Sequence, residues 1–212
     1  MPFKKENFLK KVSVGYLTGF LSFALIFVIS VLGGGFKIQS IWTSNNLPIL
    51  LLFCIGFLIQ GTTEEIICRG YIQGRISQKM RIYWGIIIST IFFILAHIGN
   101  NGISLAGVGG LLIFSVLTSL LRFYTGDLWL CSTLHAAWNF AEGPIFGTAV
   151  SGNSGMGLVF KSTSIPNHPL LTGNQFGIEA SLISILIQIM LIIVIIYLGQ
   201  KHSRLSIFKK AA

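Results

Sequence analysis

Six long apolar runs, separated by polar or basic segments, organise the chain. Residues 12–32 are apolar without a charge, after a basic start at Lys4, Lys5, Lys10 and Lys11. A helix needs about 20 such residues to cross a bilayer, so this run predicts a first span. It is too long for the apolar core of a signal peptide, and Gly33-Gly34-Gly35 is no A-x-A-like cleavage site, so the span is expected to stay uncleaved. Residues 47–60 form a second run that continues through Gly61-Thr62-Thr63 into Glu64-Glu65. Further runs cover 82–98, 103–121 (rich in glycine), 128–146 (broken by polar side chains) and 180–200, the most purely aliphatic. The pattern predicts an all-α polytopic transmembrane bundle of about six spans in one membrane domain, 1–212. The longest piece between runs, 147–177, is rich in Gly, Ser, Thr, Asn and Pro; a connection of this length is functional or mobile. Gly15 and Gly19, and Gly70 and Gly74, have the spacing that permits close helix contact, with internal packing the expected use and a dimer face the lesser one. Nothing in the pattern fixes an oligomeric state.

Composition agrees. Hydrophobic residues make up 53% and charged residues 10%, against about 25% charged in soluble domains. This argues against a soluble enzyme, a disordered chain and a coiled coil. The net charge of +9 does not indicate nucleic acid, because the basic residues lie between apolar runs rather than on one water-facing patch. They cluster at Lys4–Lys11, at Arg69, Arg75, Lys79 and Arg81, and at Lys201, Arg204, Lys209 and Lys210, with Arg122 after the fourth run; the alternate connections hold only Lys37 and Lys161. With six spans every basic end falls on one side, which the positive-inside rule makes cytoplasmic, together with both termini. Cys54, Cys68 and Cys131 are odd in number and lack CxxC spacing, so they read as small buried hydrophobes.

Two of the six acids, Glu64 and Glu65, are adjacent beside an apolar run. Ionisable groups at membrane depth are costly, so they mark a partner or a function. On a helix Glu65 and Arg69 share a face and can pair. Glu64 is rotated about 100° away, with no partner expected in its own helix. One paired carboxylate beside one poised carboxylate is a general-base arrangement; the plainer alternative is a helix end with both acids solvated. If the turn between the second and third runs lies near Gln78–Arg81, Glu64 and His97 are each roughly 24 Å from it at about 1.5 Å per residue, and therefore at one level. Phe93 shares the face of His97, which would otherwise read as a satisfied core histidine. His135 and Asn139 share a face of the fifth run, next to Trp138. Counted from Asp127, His135 lies only about 12 Å along its helix, shallower than His97. A second helix beginning outside the lipid, or an inward dip at Gly99–Gly102, would reconcile the two depths.

These groups in this order resemble the CPBP family, which includes type II CAAX prenyl endopeptidases, Abi proteins and bacteriocin-processing or self-immunity membrane proteins. The first motif, EExxxR, is Glu64, Glu65 and Arg69; the second, FxxxH, is Phe93 and His97; the third is His135 followed by Asn139. The resemblance covers residues 47–142, four central spans, which it identifies as the catalytic core. Six runs are fewer than the eight spans of larger members, so nothing carries over to the peripheral helices. The resemblance implies a cavity open toward the cytoplasm and peptide-bond hydrolysis inside the cell membrane. Glu64 with His97 would activate water, His135 and Asn139 would stabilise the oxyanion, and Arg69 would orient Glu65. Zinc held by Glu64, His97 and His135 would fit the His₂Glu pattern; HExxH is absent, which favours a metal-free mechanism with no cofactor. The implied partner is a peptide or membrane-protein substrate in the bilayer, for bacteriocin maturation, immunity or CAAX-type processing. A non-catalytic immunity or partner-binding protein uses the same scaffold. A proton-coupled carrier is the third class, without repeat symmetry to support it.

Overall fold

In a computed structural model the chain is described from residue 3 to residue 202, and it is mostly helical. Arg204, Lys209 and Lys210 lie outside the described residues. Helix α1 spans Phe8–Leu32, α2 Leu47–Glu65, α3 Gln73–Lys79, α4 Ile82–His97, α5 Leu105–Thr125, α6 Trp129–Phe140, α7 Pro169–Thr172 and α8 Leu182–Lys201. All six apolar runs become helices. Four are long and apolar enough to cross a membrane, at Phe8–Leu32, Ser44–Lys79, Leu105–Thr125 and Leu182–Lys201; the third run folds as the shorter Ile82–His97. The fifth run gives only 12 helical residues in α6, followed by a π-helical turn at Ala141–Ile145. Pro144 lies in that turn and has no amide proton to donate to a regular helix.

The second run departs most from expectation. It continues without a break as a 36-residue helix, Ser44–Lys79, through a π-helical segment at Ile66–Ile72. At about 1.5 Å per residue this is roughly 54 Å, well beyond the ~30 Å hydrocarbon core. Glu64 and Glu65 therefore lie in the middle of a helix, and the solvated helix end is excluded. π-helical turns are rare and recur at functional sites.

The fold also contains a strand pair that the apolar pattern did not predict. Strands β1 (Phe36–Ser40) and β2 (Phe160–Ser164) pair antiparallel, Phe36 opposite Ser164 and Ser40 opposite Phe160. The ribbon joins the connection after α1 to the long 147–177 segment and carries Lys37 and Lys161. Lys4, Lys11 and Lys201 lie at the opposite end of the bundle. There Lys11 pairs with buried Asp127, the Trp129 indole donates to the Lys4 carbonyl at 3.0 Å, and the Tyr124 hydroxyl is 3.3 Å from His202 Nδ1. Arg69 bonds Ser115 and Gln73 bonds Ser119, so the π-helical segment and the start of α3 pass α5 toward the same end. Gly126, in the left-handed region with φ 72°, closes α5 there.

Helix α6 is the centre of the packing; Cys131 to Phe140 are all buried. Trp138, 0% exposed, meets Phe23 of α1 and Phe114 of α5 with ring centroids 5.4 and 5.6 Å apart. Large aliphatic side chains such as Leu17, Leu21, Leu52, Ile59, Ile91, Leu186 and Ile193 are exposed on the outer helix faces, as expected of surfaces solvated by lipid. Apolar burial does not drive helices together in lipid, so close contact between small residues matters more. A Cβ on Gly15 would lie 2.5 Å from the Leu130 carbonyl oxygen, and one on Gly19 would lie 2.2 Å from that of Leu134. This pair is the seam between α1 and α6. The second pair is not a seam: a Cβ on Gly70 meets only a Leu128 methyl at 3.1 Å and, at 3.8 Å, the Glu65 carbonyl, and one on Gly74 meets only the Arg69 carbonyl at 3.8 Å. The cysteines are free, with Cys68 and Cys131 buried and Cys54 half-buried.

Gly19→Val forces α1 off the α6 backbone, an overpacking cost of about 1–3 kcal/mol that lowers the unfolding midpoint by roughly 3 to 10 °C. Gly56→Ala, whose Cβ meets nothing within 4 Å, does not lower the midpoint, because alanine is the better helix former. Thermal unfolding in detergent checks both; equal behaviour of the two variants contradicts the seam.

Candidate active site

The long helix turns Glu65, Arg69 and Gln73 inward, each essentially without exposed surface. Arg69 Nη1 donates to Glu65 Oε1 at 3.1 Å, as the four-residue spacing predicts. Its Nη2 donates to the Ser115 hydroxyl at 2.8 Å and the Ser115 carbonyl at 3.2 Å. The Ser115 hydroxyl itself donates to Thr90 Oγ1 at 2.9 Å. The guanidinium lies 4.6 Å from the centre of the Phe93 ring, where the aromatic face attracts a cation. Gln73 donates to the Ser119 carbonyl at 3.2 Å. Together these side chains fill the interior on the basic-end side of the acids.

Glu65 Oε1 also accepts from His135 Nδ1 at 2.9 Å, so one buried carboxylate oxygen joins α2 to α6. His97 Nδ1 is 2.8 Å from the Phe93 carbonyl oxygen; a carbonyl only accepts, so this nitrogen carries the proton. With both Nδ1 atoms engaged as donors, each Nε2 faces Glu64. The two Nε2 atoms are each 3.9 Å from Glu64 Oε2. The equidistance expected of an antiparallel hairpin therefore holds for His97, and His135 lies at the same level. Phe93 forms the expected aromatic wall, its centroid 4.6 Å from that of His97.

Glu64 does have a partner in its own helix, contrary to expectation. Gln60, one turn earlier, donates through Nε2 to Glu64 Oε1, and its Oε1 accepts from Asn139 Nδ2 at 3.1 Å. Glu64 Oε2 is enclosed and has no hydrogen-bond partner among the described residues. Gln60 was legible as a polar residue four before Glu64, the same spacing that revealed Arg69 after Glu65. Ser115 and Ser119, four apart in an apolar helix, carried a weaker signal. Thr90 carried none.

A cavity of about 590 Å³ opens beside these groups. Phe57, Gln60, Glu64, Phe92, His97 and Asn139 line it, and Val150 to Met156 of the long connection close one side. Asn100 holds that connection by donating to the Ser151 carbonyl at 2.8 Å. The cavity thus reaches toward the end opposite the basic clusters. The resemblance implied an opening toward the basic, cytoplasmic end, but Arg69 and Gln73 fill the space on that side.

The donor chemistry around Glu64 has one property of a metal site: imidazoles whose second nitrogen is held by a neighbour. The spacing does not fit. Zinc ligands at about 2.0–2.2 Å stand about 3.4 Å apart at tetrahedral angles, and Glu64 Oε2 is 3.9 Å from each nitrogen. Among the described residues no three His, Cys, Asp or Glu side chains converge at metal-binding spacing.

Residues 44–141 match the family model described as type II CAAX prenyl endopeptidase Rce1-like. No curated protein and no solved structure matches the chain. The matched segment contains Glu64, Glu65, Arg69, His97, His135 and Asn139; Glu64, His97 and Asn139 line the cavity, and Glu65, Arg69 and His135 are buried behind them. Over this segment, a little under half of its length, the chain is similar to the Rce1-like family of membrane-embedded proteases.

Proposed function

We propose that this chain hydrolyses a peptide bond within the membrane, with Glu64 as general base. The observation that carries this reading is Glu64 Oε2, 3.9 Å from Nε2 of both His97 and His135 on the wall of the cavity. Two partners of one water, each about 2.8 Å from it, stand roughly 3.9 to 4.6 Å apart for angles from about 90° to tetrahedral, so this spacing is at the short end for a bridging water. Glu64 takes a proton from that water as its oxygen bonds to the scissile carbonyl carbon, and His97, neutral with a bare Nε2, orients it. His135, backed by the Glu65 carboxylate, can carry a proton on Nε2 and donate it to the oxyanion. Asn139 has a second amide hydrogen beyond the one it gives Gln60. Glu64 then returns its proton to the departing amine as the C–N bond breaks. Glu65 and Arg69 do not touch the reacting atoms; they position His135. No step needs a metal or other cofactor.

Phe57, Ile67, Phe92, Phe93 and Met156 give the cavity apolar walls. They suit a hydrophobic or lipid-modified peptide, or a membrane-protein segment, delivered from the bilayer. Six spans with both termini cytoplasmic is the topology that the basic ends support. A short, basic chain of this kind fits a bacterial cell membrane, with a role in bacteriocin processing or self-immunity.

With an internally quenched farnesylated peptide ending in a CAAX-type tail, Glu64→Gln lowers kcat by about 10²- to 10⁴-fold, the usual worth of a positioned base. His135→Ala lowers it by about 10²- to 10³-fold, as for a lost oxyanion donor. The unfolding midpoint of Glu64→Gln stays at the parent value. Cleavage at the parent rate by Glu64→Gln defeats the base assignment. A protective phenotype that persists in that variant instead assigns immunity to partner binding. Metal analysis of the purified chain is expected to find zinc far below one ion per chain and no chelator sensitivity; stoichiometric zinc that is lost in His97→Ala overturns the metal-free route.

A further inference from the structure

We infer that Gln60 is a positioning residue that sets which oxygen of Glu64 works as the base and couples Glu64 to Asn139. This rests on the reading of Glu64 as base. Asn139 reaches Gln60 through its amide nitrogen, which only donates, so the atom it meets is Gln60 Oε1. That leaves the Gln60 Nε2 for Glu64 Oε1. Both ends of the Gln60 amide are thereby used, and in only one orientation. Glu64 Oε1 is tied back along α2, and Oε2 is left as the oxygen that His97 and His135 face.

The geometry around Gln60 is held from outside. Gly61 brings α2 against the α6 backbone, where an added Cβ would lie 2.9 Å from the Ala136 amide nitrogen. This contact sets the separation over which the Gln60 side chain spans from Glu64 to Asn139. Without the amide, the terminal torsion of a glutamate is broad and roughly two-fold. Either oxygen of Glu64 can then turn to the histidines, and the Asn139 amide loses the contact that fixes its direction. One side chain thus aligns the base and a donor to the oxyanion. A change here acts on the transition state more than on substrate binding.

The test uses the full chain in detergent, the farnesylated quenched peptide and the variant Gln60→Met, which keeps the length and removes both hydrogen bonds. The expected result is a kcat about 10- to 100-fold lower with KM within about 3-fold of the parent. Asn139→Ala is expected to cost less in the Gln60→Met background than in the parent, because the two act through one chain of hydrogen bonds. Gln60→Glu, of the same length but presenting a carboxylate to Glu64, loses as much or more; it serves as the test if Gln60→Met does not fold. A role in packing alone predicts instead that both variants keep the parent kcat. Full activity in both, while Glu64→Gln is inactive, overturns the role of Gln60 and leaves the base in place. Full activity in Glu64→Gln as well overturns both. Strict additivity with Asn139→Ala overturns the coupling. Infrared difference spectra against Glu64→Gln read the same contact without substrate: Gln60→Met shifts the Glu64 carboxylate band, and an unshifted band contradicts the inference.

Discussion

The buried pair of Glu65 and Arg69, with His135 on the same carboxylate oxygen, is the constraint on which the rest of the interior depends. Two charges with no exposed surface are expensive unless their remaining hydrogen-bonding groups are used. Here most are used, on four helices, while Glu65 Oε2 and Arg69 Nε have no partner among the described residues. Glu65 and Arg69 come from the long second helix, Thr90 and Phe93 from α4, Ser115 from α5 and His135 from α6. Removing one partner of such a pair costs about 3–5 kcal/mol, because the other charge stays buried. The same contacts fix the His135 ring, so that its Nε2 looks toward Glu64. Glu64, rotated by about 100° on the helix, is excluded from this network and faces the cavity. Adjacency in sequence therefore separates the two carboxylates into one held in the buried network and one facing the cavity.

Small residues make that network reachable. Gly15 and Gly19 let α1 lie directly on the α6 backbone, and Gly61 does the same for α2. With α6 clamped on both sides, His135 meets Glu65 and Asn139 meets Gln60 at hydrogen-bonding distance. The segment from Val150 to Met156 lines one side of the cavity, and the buried Arg69 and Gln73 fill the interior on the basic-end side of the acids.

Much of this was legible in the residues because it rests on helical periodicity. The four-residue spacings of Glu65 and Arg69, Phe93 and His97, and His135 and Asn139 each became a shared face. Equal distance from the hairpin turn placed His97 opposite Glu64. What was missed depends on contacts between distant parts of the chain. The depth of His135 was underestimated by counting from Asp127, whereas the closeness of α6 to α2 at Gly61 decides it. The pairing of Phe36–Ser40 with Phe160–Ser164 spans two connections, and neither five-residue strand announces itself alone. Gln60 is the exception, since its spacing from Glu64 was readable; its importance appears only once Asn139 occupies its other end.

The most direct measurement is the ¹⁵N NMR spectrum of the histidine rings in the purified, folded chain, with His135→Ala and His97→Ala used for assignment. A proton on Nδ1 of His135, lost or weakened in its hydrogen bond when Glu65 is changed to Gln, together with a bare Nε2 on His97, is the result that the buried carboxylate network predicts. A His135 ring with Nδ1 bare and its only proton on Nε2, indifferent to Glu65→Gln, contradicts it.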